Sequence, residues 1–209
     1  MLFRPSPSKK RPGLIEPCIP TLASRPPTGP QWVHEIKHDG YRLIARKHDG
    51  HVRLFTRRGY DWSERYPLIA KAVAALRASS ATIDGEAVCC DAGGLAVFDM
   101  LHSRQHDDRV LLYVFDLLEL DGTDFRPQPL HLRKARLEKL LAKAPPGIQF
   151  NEHVEGNGQI AFEHACKLGL EGIVSKHREH PYRSGRSKTW LKVKNSAAPG
   201  VTRFEREDA

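Results

Sequence analysis

Two alternating runs, at residues 41–47 and 52–56, flank the dipeptide Asp49-Gly50. Alternation places successive side chains on opposite faces of a strand, and Asp-Gly suits the positive φ angles of a two-residue hairpin turn. An antiparallel pair with one apolar face has to be covered, so this hairpin constrains the fold more than any other feature. Trp32-Val33-His34-Glu35-Ile36-Lys37 reads as a strand just before it. Further strands are predicted at 82–89, 95–98 and 110–118, the first two joined by the turn residues Asp91-Ala92-Gly93-Gly94. Short strands at 172–175 and 190–194 close the pattern.

Helical spacing runs over 62–78, with Leu68, Ile69, Ala72, Val73 and Leu76 on one face. A second amphipathic helix is predicted over 132–143, stopped by Pro145-Pro146, and a third over 159–168 with Gly169 as its C-cap. The fold class is therefore α+β, with antiparallel sheets flanked by helices. Residues 1–30 are rich in Pro and read as an extended leader, 31–195 as the domain, and 196–209 as a loose polar tail.

A chain of 209 residues can bury a core without disulfides. Cys18, Cys89, Cys90 and Cys166 lack C-x-x-C spacing and read as reduced thiols of a cytoplasmic protein. No stretch is apolar and long enough to span a membrane, and no apolar segment follows the early basic residues as in a secretory signal. The net charge of +8 fits a polyanionic partner, nucleic acid above all; charge alone leaves a merely solubilising surface open.

Lys-His-Asp-Gly occurs twice, at 37–40 and 47–50. The second copy lies inside the hairpin, so its Asp-Gly makes the turn. The first stands in E-x-K-x-D-G-x-R, which gathers Glu35, Lys37 and Arg42 around one short segment. A lysine amine becomes a nucleophile when cations or desolvation strip its proton, and a guanidinium suits phosphate oxygens. Thr82-Ile83-Asp84-Gly85-Glu86 and Glu171-Gly172-Ile173-Val174-Ser175-Lys176 add carboxylates, and Tyr113-Val114-Phe115-Asp116 adds an aromatic face. In Trp190-Leu191-Lys192-Val193-Lys194, alternation points Lys192 and Lys194 the same way, an arrangement that calls for an anion between them. Singly, each of these is an ordinary turn, surface or core residue.

Together and in this order, the segments resemble the covalent nucleotidyltransferases, and most closely the ATP-dependent DNA ligases, over about residues 16–194. Thr56-Arg57-Arg58-Gly59 resembles a further motif, with Arg58 where many relatives carry Asn. Gly59-Tyr60-Asp61-Trp62 and Tyr182-Arg183-Ser184-Gly185-Arg186 are similar to the ligase module of bacterial ligase D, an end-joining enzyme.

The resemblance implies the covalent nucleotidyltransferase fold, an ATP-grasp-like ligase adenylation architecture. It implies that Lys37 attacks the α-phosphate of ATP to form lysyl–AMP. Glu35 would contact the adenine amino group, with Ile36 beside it, and Phe115 and Val174 would sandwich the ring. Arg42 and Arg57 would hold phosphate or ribose, and Glu86 and Glu171 would bind Mg²⁺, with Mn²⁺ as an alternative, or ribose. Lys192 and Lys194 would neutralise the α-phosphate. The implied substrate is nicked double-stranded DNA, in repair or recombination in the bacterial cytoplasm at the nucleoid. An RNA ligase-like activity is the alternative.

Relatives continue beyond the last motif into an OB-fold domain, whereas fifteen residues follow Lys194 here. The resulting expectation is a catalytic core that draws on a partner for an OB-fold, or on a Ku-like end-binding protein. Its other form is a nicked-DNA-binding fragment that does not turn over.

Overall fold

The computed structural model describes residues 15–198. Eleven strands and four α-helices appear among them, in two sheets. The first sheet has the order β1 (Cys18–Leu22), β11 (Gly185–Lys194), β10 (Gly172–His177), β2 (Trp32–Ile36), β9 (His153–Glu155). The second runs β4 (His51–Thr56), β3 (Tyr41–His48), β5 (Ser80–Val88), β6 (Leu111–Leu120), β7 (Thr123–Asp124), and β8 (Ile148–Phe150) pairs with β6. Pairing is antiparallel except for β1 on β11 and β8 on β6. No helix among the described residues is long and apolar enough to cross a membrane.

Three apolar clusters set the layers. The largest covers one face of the second sheet with residues of α1 (Pro67–Ala74), α2 (Phe98–His102) and α3 (Leu130–Leu141). A second, with Ile44, Phe55, Phe115, Leu118, Tyr182 and Trp190, lies between the two sheets. A third joins the far side of the first sheet to α4 (Gly158–Lys167).

The hairpin forms as read: Asp49 and Gly50 adopt φ of 47° and 76°, as a type I′ turn requires. Its lysine has a structural job. Lys47 Nζ donates to the carbonyls of Ala74 (2.7 Å) and Leu76 (2.8 Å) and so closes the end of α1. The glycine of the first copy is needed for a different reason. A Cβ on Gly40 would lie 2.1 Å from the Ala87 carbonyl oxygen, so only glycine lets the chain pass this close to β5.

Several elements differ from the sequence reading. The predicted helix over 62–78 shrinks to Pro67–Ala74, because Pro67, without an N–H, starts it and the Lys47 contacts end it. No strand forms at 95–98. Asp91 Oδ1 accepts from the N–H groups of Gly93 and Leu95, leaving only a Cys90–Ala96 bridge before Phe98 opens α2. The leader is not merely a wrapping: its residues 18–22 form β1, an integral strand. Residues 1–14 of that leader and 199–209 of the tail lie outside the described residues; Ala198, just before, is buried.

Strand β6 carries two bulges. Its register against β5 slips between Thr82 and Ile83 and again between Asp84 and Gly85, which leaves Leu118 and Phe115 as extra residues. A bulge re-aims side chains, and both of these turn into the cluster between the sheets. Behind them, Arg133 of α3 is fully buried against Asp116, with Nε–Oδ1 at 2.7 Å and Nη2–Oδ2 at 2.8 Å. Its Nη1 donates to the carbonyls of Gln128 and His180. Arg133→Met is expected to destabilise the chain by about 3–5 kcal/mol, since it strands a buried carboxylate. Urea denaturation measures this, and a loss below 1 kcal/mol, the value typical of an exposed pair, would refute it.

Candidate functional site

The cleft between the sheets is a cavity whose two walls come from different motifs. On the first sheet, Glu35 lies opposite Val174, and Val174 lies opposite Lys192. Cross-strand neighbours share a face, so these three form a row. On the second sheet, Arg42 lies opposite Glu86, and Phe115 emerges from its bulge nearby. Lys37 stands on the segment that joins β2 to β3, at the junction of the walls, with its N–H donating to the Gly172 carbonyl at 3.0 Å. Ile19 and Pro20 of β1, Ile36, and Arg57 at the exposed rim complete the enclosure.

Nine of the eleven sequence candidates line this cavity: Glu35, Ile36, Lys37, Arg42, Arg57, Glu86, Phe115, Val174 and Lys192. Glu171 lines a neighbouring hollow that shares Lys37 with the first, and its carboxylate is ion-paired with Lys37 Nζ. Lys194 does not line the cavity; its charge acts through Lys192. Burial, followed by the charges of Lys37 and Lys194, holds the Lys192 ammonium below the usual lysine range.

The structure gives several of these side chains partners that the sequence did not indicate. Glu35 is buried, with Oε1 paired to Lys134 Nζ (2.7 Å) and Oε2 to Lys176 Nζ (2.6 Å). Burial alone would raise its carboxyl, but the two lysines outweigh that and hold it below the ordinary range. Arg42 grips Asp84 through two bonds, Nε–Oδ1 at 2.5 Å and Nη2–Oδ2 at 2.7 Å, and donates to the Cys18 carbonyl. Its guanidinium lies 4.4 Å from the Phe115 ring centre. Lys176 Nζ sits 4.1 Å from the Phe115 ring and 4.0 Å from that of Trp190, and burial lowers its pKa to about 8. Tyr182 donates to Asp84 Oδ2 at 2.6 Å and accepts from the Cys18 N–H at 2.9 Å.

Lys176, Asp84 and Trp190 lay inside motifs read from the sequence but were not singled out. Lys176 had a usable signal, since it stands two residues after Val174 on one strand. Tyr182 stands at the head of a motif read from the sequence but without a role of its own, and Lys134 and Asn151 carry no sequence signal.

Glu86 is the unneutralised acid of the site. Burial raises its carboxyl to about 7; Arg42 and Lys37 oppose this, and the nearby Glu171 carboxylate adds to it. Glu86, which lines the cavity, and Glu171, which lines the adjoining hollow, are two carboxylates whose charges act on each other, a donor set that fits Mg²⁺, which commonly takes one or two carboxylates alongside substrate phosphates and water. No group of three or more such ligands occurs among the described residues, so the rest of any coordination shell would come from substrate and solvent.

Comparison with known proteins bears on this cleft. The family model described as "ATP dependent DNA ligase domain" matches residues 21–194. The chain is 41% identical over 187 residues to the multifunctional non-homologous end joining protein LigD of Pseudomonas aeruginosa, covering 88% of this chain and 22% of that protein. It is 31% identical to the SPbeta prophage-derived DNA ligase-like protein LigB of Bacillus subtilis, covering 87% of this chain and 67% of that protein. The solved ligase domain of Mycobacterium tuberculosis LigD superimposes with a TM-score of 0.77 at 34% identity, covering 85% of this chain and 58% of that one. A mycobacterial DNA ligase D complexed with ATP gives 0.76 at 33% identity, covering 85% and 59%. The chain thus spans about a fifth of the length of the LigD proteins it matches.

The raised carboxyl of Glu86 has a measurable consequence. Its folded-state pKa lies above the ordinary value of 4.5, so its contribution to stability is present below about pH 4.5 and is lost as pH rises through about 7. Between pH 4.5 and 7.5, without divalent cations, the chain should lose about 2–3 kcal/mol of stability relative to Glu86→Gln. Urea titrations across that range compare the two slopes, and parallel slopes would contradict the assignment.

Proposed function

The chain belongs to the ATP-dependent DNA ligase family, and on that premise we propose that it transfers AMP from ATP, through Lys37, to strand breaks in DNA. The observation that supports this most directly is the position of Lys37. Its amine stands at the junction of two walls that offer a base-sized slot, two carboxylates and free cationic side chains.

In the proposed reaction the base slides between Phe115 and Val174, with Ile36 at its edge and Glu35 as acceptor for the adenine amino group. Lys134 and Lys176 fix Glu35 in place for that contact. Arg57 and the Asp84-anchored Arg42 meet phosphate or ribose oxygens. Glu86 and Glu171 would hold Mg²⁺, with Mn²⁺ as the alternative, and the ion would neutralise phosphate charge.

Lys37 is paired with Glu171 in the resting structure. A divalent cation, when bound, would be held by Glu171 and Glu86 and would supply positive charge beside the amine, with Lys192 close by. The Lys37 nitrogen then attacks the α-phosphorus, a P–N bond forms, the bond to the β-phosphate oxygen breaks and pyrophosphate leaves. The attacking amine carries two protons; one departs to solvent and the other stays as the phosphoramidate N–H. Lys192, backed by Lys194, balances the charge that develops on the α-phosphate. The AMP then passes to the 5′-phosphate at a break, and attack by the adjoining 3′-hydroxyl seals the strand and releases AMP. We take DNA as the substrate and a Ku-like end-binding protein as the partner by likeness to LigD.

Incubation with α-labelled ATP and Mg²⁺ tests the first step. Lys37→Ala is expected to abolish covalent label. Lys47→Ala, which only loosens the end of α1, should label to the same extent at a temperature where it is folded. Equal labelling of both variants would refute the nucleophile, and an adduct stable to acid would refute the phosphoramidate.

The carboxylates make a second test. Glu86→Ala and Glu171→Ala should each slow Mg²⁺-dependent labelling by an amount equivalent to about 2–4 kcal/mol of barrier. Asp91→Ala, which removes only a turn contact, is the control and should keep its rate. Three equal losses would dismiss the metal assignment.

A further inference from the structure

Among the described residues the chain crosses between the sheets twice near the cavity. The first crossing, at 37–40, joins β2 to β3. The second, at 151–152, joins β8, which pairs with β6, to β9, which pairs with β2. Asn151 stands in the second crossing, and its side chain reaches the first.

The amide of Asn151 is used at both ends. Nδ2 donates to Glu35 Oε2 at 3.3 Å, and Oδ1 accepts from His38 Nε2 at 2.9 Å. Glu35 and His38 stand on either side of Lys37 in the sequence. The backbone of Asn151 is fixed as well: its N–H donates to the Val114 carbonyl at 2.8 Å, and its carbonyl accepts from Lys134 Nζ at 3.0 Å. The residue is buried, at 4% exposure. His38 is held on its other side by Tyr113, whose ring lies 4.0 Å away and within 9° of parallel.

Polarity makes this arrangement selective. The carboxylate of Glu35 needs a donor, and the protonated Nε2 of His38 needs an acceptor. Only a side-chain amide offers both from one planar group of this length. Asn151 itself does not line the cavity, so it cannot touch a nucleotide there.

We propose that Asn151 is a positioning residue for the nucleophile: by gripping Glu35 and His38 from the opposite crossing, it sets the backbone that aims the Lys37 amine. This rests on the proposed lysyl–AMP chemistry. An attacking atom held within bonding reach gains much of its rate from placement, and a displacement of about 1 Å caused by a remote change costs on the order of a hundredfold. Trimming the amide therefore slows the attack, while Lys134 and Lys176 still hold both oxygens of Glu35 and keep the base slot, and with it ATP binding, largely as it was.

The test is single-turnover self-labelling of the full chain across a range of ATP concentrations. The variants are Asn151→Ala, His38→Phe and the double substitution. Phenylalanine keeps a flat ring against Tyr113 and removes the hydrogen bond; because His38 also lines the cavity, the half-saturating ATP concentration is the readout that separates a lining effect from loss of the bond. Asn151→Ala is expected to lower the maximal labelling rate about 10- to 100-fold, with little change in the half-saturating ATP concentration and a full end-point of labelled protein. His38→Phe should lower the rate in the same way, but by less when Asn151 is already alanine, because the two act through one bond. An unchanged maximal rate, strictly additive losses, or a smaller end-point reached at the unaltered rate would each overturn the proposal; the last would mean that Asn151 serves folding alone. If Asn151→Ala does not fold, His38→Phe alone decides, since an unaltered rate there removes the link. Absence of Lys37-dependent label in the unsubstituted chain is a separate result, and it would overturn the functional reading beneath the proposal.

Discussion

The bidentate pair between Arg42 and Asp84 lies within the second sheet and anchors the contacts that tie that sheet to the first. Asp84 is fully buried on β5, and Arg42 reaches it from β3 while also donating to the Cys18 carbonyl of β1. Tyr182 links Asp84 back to the Cys18 N–H. Burying these charges is costly, and the cost is met only because nearly every donor and acceptor in the knot is matched. The arginine side chain also supports Phe115 from its face, so the aromatic wall of the cleft inherits its position from an ion pair. An arginine read from the sequence as a phosphate ligand is thus first a structural clasp.

The two Lys-His-Asp-Gly copies show how far local sequence can be trusted. Identical tetrapeptides take unrelated conformations because their neighbours differ. One is bounded by strands of the same hairpin and forms its turn; the other leaves one sheet and enters another, pressed against the Ala87 carbonyl. The flanking Glu35 and Arg42 distinguished them, and that signal was legible without a structure. So were the hairpin, the α+β class and the motif residues, because each rests on spacing within a few positions.

What the sequence did not disclose depends on distance along the chain. Lys134 sits in a helix of mixed charge, where a lysine ordinarily faces water, yet it is buried against Glu35, 99 residues away. Asn151 is 116 residues from the same glutamate and looks like any loop asparagine. Phe115 was visible as an aromatic in an apolar strand, but its bulge arises from a register slip against β5, which no single strand can reveal. Likewise β1 was hidden in a Pro-rich segment because its partner, β11, stands at the other end of the domain.

That pairing of the first described strand with the last orders events during synthesis. Contacts between chain positions so far apart form late, because a long loop must close before they yield any energy. Lys37 leaves the ribosome before β11, and Trp190 and Lys192 on one wall, with the sheet position of Ile19 and Pro20, await that strand. A nascent chain therefore carries its nucleophile without a complete site around it until β11 has been made. The cleft is complete only when β11 has paired with both β1 and β10.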